Sequence, residues 1–275
     1  MGEYMEPQDV KRVAAVGFCC ADVYQNLGMC YPTGNGIDWG IHLARLGVPV
    51  SAVSVVGTDD YGAQMREALE AEHIDTSHLR TERGDTCVML MGLKNGVDRV
   101  HLEEVEGVMA DYALTLDDDA FVREHDLFHT DLFGNVLGYL KPWHEAGLLS
   151  VMDFSVFSED PAYHCEDYFP YIDYVFMSYD GDDLDHIREW IKHVQAFGPR
   201  IVTTTMGERG SISYDGQGYY EGGIVKPTCI VNTVGAGDSY IAGFTYGLMQ
   251  GWDIPACQRK GAELSSEVIA TFKPY

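Results

Sequence analysis

The sequence predicts an α/β fold, a mostly parallel central sheet with helices on both faces. Short β-branched and apolar runs alternate with segments of helical period, the pattern of repeated strand–helix–strand units. Glycines close several of these segments, at Gly17, Gly47 and Gly57. The 275 residues suffice for one large domain of this kind.

In chain order, residues 12–18 read as a first strand. Residues 37–46 read as a helix, with Leu43 and Leu46 following Trp39 at helical spacing and Gly47 as the stop. Residues 50–56 form a second strand and 60–72 a second helix, with His73 and Ile74 as its exit. Residues 127–130, 148–154, 174–177 and 201–205 are further buried strands, each after a polar or helical stretch. Ligands of such sheets bind at the carboxyl ends of the strands. Residues 86–103 break the rhythm: they alternate without a helix, around the hairpin signal Lys94-Asn95-Gly96. This ribbon reads as a flap that would keep water from a site. No low-complexity linker or internal repeat occurs, so residues 1–275 read as one domain with a small β lid.

Composition excludes several classes. With 18 Lys and Arg against 43 Asp and Glu, the net charge of −25 argues against nucleic acid and anionic membrane partners. It would also repel a bare nucleotide triphosphate, so any phosphate site must be local, built from backbone dipoles, the few cations and bound Mg²⁺. Seven cysteines form no Cys-x-x-Cys and leave one unpaired. With no secretory leader they read as reduced thiols in the cytoplasm. No apolar run approaches the ~20 residues of a membrane helix. Met1-Gly2 lacks the Ser or Thr at position 6 that a myristoylation signal wants.

The most informative stretch is Asn232-Thr233-Val234-Gly235-Ala236-Gly237-Asp238-Ser239. Ile241, Phe244, Leu248 and Met249 follow at the spacing of a helix burying one face. The N–H groups of Gly235 to Asp238 would then lie at an open helix N-terminus, which favours an anion. A carboxylate beside such a cradle suits taking a proton from an alcohol as a phosphoryl group arrives. Taken alone, the four residues Gly-Ala-Gly-Asp also fit simple helix capping. No Gly-x-x-x-x-Gly-Lys-[Ser/Thr] occurs, and Gly34-Asn35-Gly36 lacks the third glycine of a dinucleotide site. His125 and His129, separated by four residues of strand or ~13 Å, are too far apart to share a metal ion and read as structural or surface residues.

The remaining features fall in a fixed order. Asp22 follows the first strand, Gly34-Asn35 opens the next helix, and Val56-Gly57-Thr58-Asp59-Asp60-Tyr61-Gly62 follows the second strand. Thr204-Thr205-Met206-Gly207-Glu208-Arg209-Gly210-Ser211 comes late, just before the Gly-Ala-Gly-Asp helix. That order resembles the ribokinase-like, PfkB family of carbohydrate kinases, from about Val13 to Thr271. Within the family the sequence is most similar to the bacterial fructoselysine 6-kinases. Val56–Gly62, the block Glu106-Gly107-Val108-Met109-Ala110-Asp111-Tyr112-Ala113-Leu114, Asp153-Phe154-Ser155 and the short lid carry that likeness.

The resemblance implies a ribokinase-like three-layer sandwich with lid segments at about 22–33 and 84–104. It implies ATP as co-substrate with Mg²⁺, and a sugar or Amadori acceptor phosphorylated at its 6-hydroxyl. Fructokinase, ribokinase or nucleoside kinase activity is the alternative, and a catalytically silent sugar or nucleotide sensor a further one. Asp238 matches the catalytic base, ionised at pH 7 if it keeps an ordinary pKa of ~3.9. Gly235, Ala236 and Gly237 match the anion hole, and Thr205, Gly207 and Gly210 the segment near ATP. Asp22 matches a sugar-binding carboxylate, and Gly34 and Asn35 the loop contacting the sugar. Lid pairing in the family implies a homodimer.

This chain departs from the family at several places. Asn232 stands where Asp is usual, near the monovalent-cation position, which leaves K⁺ dependence open. Cys19 and Asp38 stand where Asn is common. Asp38 would suit an acceptor bearing an amine; an exposed helix-turn residue is the alternative. Ser178-Tyr179-Asp180-Gly181 replaces an Asn-x-x-Glu motif tied to Mg²⁺, so Asp180, Asp182 or Asp183 would have to substitute through water.

Overall fold

The structure, a computed structural model, describes residues 5–95 and 98–275. The first half of the chain forms Val13–Val16 (β1), Cys20–Tyr24 (β2), Met29–Thr33 (β3), Asn35–Arg45 (α1), Val50–Val56 (β4) and Asp60–Ala71 (α2). Asp75–Thr81 (β5), Val88–Lys94 (β6), Asp98–Val105 (β7), Leu116–Val122 (α3), Leu127–Asp131 (β8) and Leu140–Glu145 (α4) follow. The remainder is Leu149–Asp153 (β9), Tyr174–Ser178 (β10), Leu184–Gln195 (α5), Ile201–Thr205 (β11), Ser211–Tyr214 (β12), Tyr219–Gly222 (β13), Ala236–Met249 (α6) and Ile254–Val268 (α7).

Nine strands make one sheet in the order β13-β12-β11-β10-β9-β8-β1-β4-β5. It is parallel from β11 to β5, and β12 and β13 add an antiparallel edge. Every residue of β1, β4 and β8 is buried, as expected of strands covered on both faces. Alternate side chains supply two cores. Val13, Ala15, Leu127, Val151 and Phe176 meet α1, α2, α6 and α7, while Ala14, Val16, Phe128, Met152 and Val175 meet α3, α4 and α5. The result is the three-layer α/β arrangement expected.

A second sheet has the order β3-β2-β6-β7. Its β2–β3 and β6–β7 pairs are antiparallel, and β2–β6 is parallel. Met91 from this sheet joins Tyr24, Tyr31 and Val234 in a small apolar cluster, with Met89, Leu93 and Phe272 packed against it. Asn95 has φ +52° at the β6–β7 turn; Gly96 of the hairpin signal, like Met1 and Gly2, lies outside the described residues.

The apolar pattern does not reveal every element. In β5 only Leu79 is buried, and β12 and β13 are short, four residues each, with β13 at the edge. Neither histidine is a surface residue. His125 bonds Phe121 O at 2.9 Å and Ser51 Oγ at 2.8 Å, while His129 stacks on Trp39 at 5.0 Å. Burial pushes His129 down to about 3, so it stays a neutral core ring.

Candidate active site

Parallel strands bring their carboxyl ends to one rim, and two acids stand there side by side. Asp131 ends β8 and Asp153 ends β9, paired in register. Asp131 accepts from Phe133 N–H at 2.7 Å, and Asp153 from Ser155 N–H at 2.8 Å. The N-terminus of α6 faces this rim. Gly235 precedes it with φ +73°, and a Cβ there would strike Pro274. Ser239 N–H is taken by Gly235 O at 2.9 Å, and Ala236 N–H reaches Thr233 O at 3.4 Å. Among the described residues no acceptor takes the N–H of Gly235 or Gly237. A Cβ on Gly237 would meet nothing within 4 Å, so the space in front of the helix is open. These are the donors and the room that an anion requires.

Asp238 lies in the first turn of α6, 8% exposed. Burial, and then the neighbouring Asp153, push its carboxyl up to about 7, while the Arg99 guanidinium pulls it down. The ordinary carboxylate pKa expected from sequence does not hold, because this side chain has been taken out of water among other acids.

The small sheet and α1 close the other side. Asp22, on β2, is 4% exposed and burial pushes it up to about 7. Asp38, in the first turn of α1, is 1% exposed, so it is not a solvated helix-turn residue. Its Oδ2 accepts from Thr33 Oγ1 at 2.6 Å, whereas its Oδ1 is buried without a partner. Burial and then Asp238 push it well up. Gly34 has φ +145°, where a Cβ would sit 2.6 Å from Phe18 O. That turn aims Asn35, whose Nδ2 donates to Asp153 Oδ2 at 3.2 Å. Cys19 does not join the group. Its thiol bonds Val55 O at 3.2 Å, accepts from Ser54 Oγ at 3.1 Å, and is pushed up to about 12 by burial.

On the far side of Gly237 a narrow cleft runs between Asp153, Ser178 and Thr205. Thr205 Oγ1 lies 3.2 Å from Ser178 Oγ. Gly207 has φ +55° with open space where a side chain would be, and Gly210, φ +83°, passes against Gly222 on the way into β12. Two of the acidic residues after β10 have other work. Asp183 caps α5 by accepting from Asp185 N–H at 3.1 Å and His186 N–H at 3.0 Å. Asp182 lies 3.5 Å from Arg209 Nη1, and Asp180 is exposed. Among the described residues no three His, Cys, Asp or Glu side chains are placed to hold a metal ion. Asn232 is fully buried. Its Nδ2 donates to Tyr24 OH at 3.3 Å and Phe272 O at 3.0 Å, and its Oδ1 accepts from Val234 N–H at 3.1 Å.

Three charged residues of this region received no site role from the sequence: Asp131, Asp153 and Arg99. The two acids each end an apolar run, a legible position in a parallel sheet. Arg99 looks like any polar residue of an alternating ribbon.

The pattern of the pfkB family of carbohydrate kinases matches residues 23–148 and 150–274. The chain belongs to that family. It is 32% identical over 260 residues to a fructoselysine 6-kinase of Shigella flexneri, covering 94% of this chain and 98% of the relative. It is 30% identical over 270 residues to a fructosamine kinase of Bacillus subtilis, covering 96% and 93%. An Arabidopsis thaliana ribokinase solved with ribose and ATP shares the fold at a TM-score of 0.80, with 18% identity and coverage of 96% and 94%. As a pfkB member the chain is a carbohydrate kinase, and the family implies ATP as its co-substrate. Among the described residues no helix is long and apolar enough to cross a membrane.

Proposed function

We propose that this kinase transfers the γ-phosphoryl group of ATP to the 6-hydroxyl of fructoselysine or a related fructosamine. Asp238 takes the hydroxyl proton as general base, and the amides of Gly235, Ala236 and Gly237 form the anion hole. The acceptor oxygen bonds to phosphorus, the bond from phosphorus to the bridging oxygen breaks, and its electron pair leaves with ADP. Fixed N–H dipoles suit this step, since the transition state spreads charge over the phosphoryl oxygens. Thr205, Gly207 and Gly210 hold the nucleotide, and Asp22, Gly34, Asn35 and Asp38 hold the acceptor. The two segments at about 22–33 and 84–104 act as the lid of a single domain.

The observation that carries the acceptor class is the buried, unpartnered Oδ1 of Asp38, close to Asp22 and Asp238. A neutral sugar offers that oxygen a hydroxyl at most. The secondary ammonium of a fructosamine offers a full charge in a low-dielectric site. The relatives at 32% and 30% identity support the same class.

Mg²⁺ keeps several waters and binds mainly through the nucleotide phosphates, so a site with few protein ligands fits it. Asp180, exposed after β10, is the candidate left for a water-mediated contact, whereas Asp182 and Asp183 are engaged by Arg209 and by the cap of α5. When bound, the ion neutralises charge on the β- and γ-phosphates. No role is assigned to K⁺, because both ends of the Asn232 amide are already bonded. The exposed apolar residues Met29, Leu102 and Val105 on the small sheet support a homodimer paired through the lid. Seven free thiols support a cytoplasmic enzyme.

The test is ADP release by the purified chain with ATP, Mg²⁺ and a panel of fructoselysine, fructose, ribose and adenosine. The expected result is the highest kcat/KM with fructoselysine, and a KM raised by Asp38→Asn for that acceptor but not for fructose. A nucleoside or neutral sugar preferred over every fructosamine overturns the acceptor class.

A further inference from the structure

We propose that Arg99 is a catalytic residue: the small sheet carries its guanidinium over the reaction centre, where it neutralises the transferring phosphoryl group. The inference rests on the phosphotransfer reading of the Asp238 site and assigns that site a cation which the pfkB pattern did not reveal.

Arg99 lies on β7, directly opposite Leu93 of β6. Residues opposed in an antiparallel pair share a face. Leu93 packs on the cluster of Tyr24, Tyr31, Met91 and Val234, so Arg99 belongs to the face turned toward the loop that enters α6. The backbone pins it there, since Arg99 N–H donates to Thr233 Oγ1 at 3.4 Å. Thr233 stands two residues before Gly235, the first glycine of the anion hole.

Its charge is available. Among the described residues no carboxylate lies within 4.0 Å of the guanidinium, and Arg99 is exposed. Yet its field reaches four acids from four elements: Asp22 on β2, Asp38 on α1, Asp153 on β9 and Asp238 on α6. His101, two residues along on the same face, feels it as well. A cation set among acids without pairing to any of them is placed to meet an anion that arrives later.

That anion is the phosphoryl group in flight. In the site as proposed, the acceptor hydroxyl gives its proton to Asp238 while its oxygen bonds to phosphorus, and ADP leaves with the electron pair of the broken bond. Negative charge thus passes through a rim already lined by Asp131, Asp153 and Asp238. Backbone amides offer partial charges on one side only. A guanidinium from above supplies a whole charge and several donors to the equatorial oxygens. Because Arg99 rides on the small sheet, this contribution exists only while that sheet is seated on Val234.

The test is steady-state transfer by the full chain and by Arg99→Gln and Arg99→Lys, with ATP, Mg²⁺ and fructoselysine, across the pH range in which Asp238 titrates. In Arg99→Gln, kcat should fall by about 10²-fold or more with the acceptor KM within about threefold. The acid limb of its profile should move to higher pH, because the cation that eases Asp238 ionisation has gone, and Arg99→Lys should lie between. A kcat equal to wild type overturns the proposal. So does a rise in KM alone, confined to acceptors with an anionic group, which would give Arg99 to the acceptor. A wild-type chain that transfers phosphate to no acceptor is a different failure, that of the phosphotransfer reading itself.

Discussion

Strands β1, β4 and β8 of the large sheet are buried at every position, whereas β7 of the small sheet leaves Leu102 67% and Val105 45% exposed. The difference lies in what each face touches. A strand covered by helices on both sides has no free side chain along its length, so its chemistry is confined to its end, as with Asp131 and Asp153. A strand with one face over a site places functional groups anywhere along it. Asp22 sits mid-strand in β2, and Arg99 and His101 lie two apart in β7. Stability therefore belongs chiefly to the large sheet, and acceptor recognition, in the function proposed, to the seam between the two.

The severest test of that division is Asp238→Asn, on the helix the large sheet supports. Loss of a general base should lower kcat by about 10²–10⁴-fold, read by ADP release. The denaturation midpoint should hold or rise, since the amide carries no charge to bury. An equal loss of stability would mean that Asp238 holds the fold together.

A core truncation should do the reverse. Trp143 is fully buried under the large sheet, with Nε1 donating to Asp119 at 2.7 Å. Trp143→Ala should cost about 3–5 kcal/mol in denaturant unfolding, with activity falling only as the folded fraction falls. On the outer face of β7, Leu102→Ser should stay within about 0.5 kcal/mol. If it costs as much as the tryptophan, the small sheet is no accessory.

Acidity gives a subtler contrast. Asp22, Asp131 and Asp238 are each pushed up to about 7 by burial, against ~3.9 for a solvated Asp. For acids so raised, the stabilisation is fully present below the unfolded value and is lost as pH climbs through about 7. With Asp238 as the proposed general base, activity should climb over the interval in which the melting temperature falls. A melting temperature flat from pH 5 to 8, with an acid limb of activity near 4, would contradict this.

These contrasts also explain what the sequence made legible. Runs such as Val50–Val56 announce the large sheet, because continuous burial leaves a continuous apolar signal. The Gly-Ala-Gly-Asp turn announces the start of α6, because a positive φ at Gly235 and an open space at Gly237 both suit glycine. The strand β2 is less plain. Its Cys-Ala-Asp-Val-Tyr is short, and the acid that matters interrupts the alternation. Arg99 leaves no local mark, since its role depends on Thr233, 134 residues away. The altered pKa of Asp238 is equally hidden. It arises from Asp153 and from burial, and both exist only once strands and helix have met.

The lone oxygen of Asp38 and the shielded carboxyl of Asp22 have one more consequence. Asp22, pushed up to about 7 by burial, keeps part of its hydrogen inventory near neutrality, and burial pushes Asp38 in the same direction. A cationic carbohydrate entering beside them must expel it into the buffer, so calorimetric heat should scale with the buffer's ionisation enthalpy. An uncharged sugar should leave that heat the same in phosphate as in Tris.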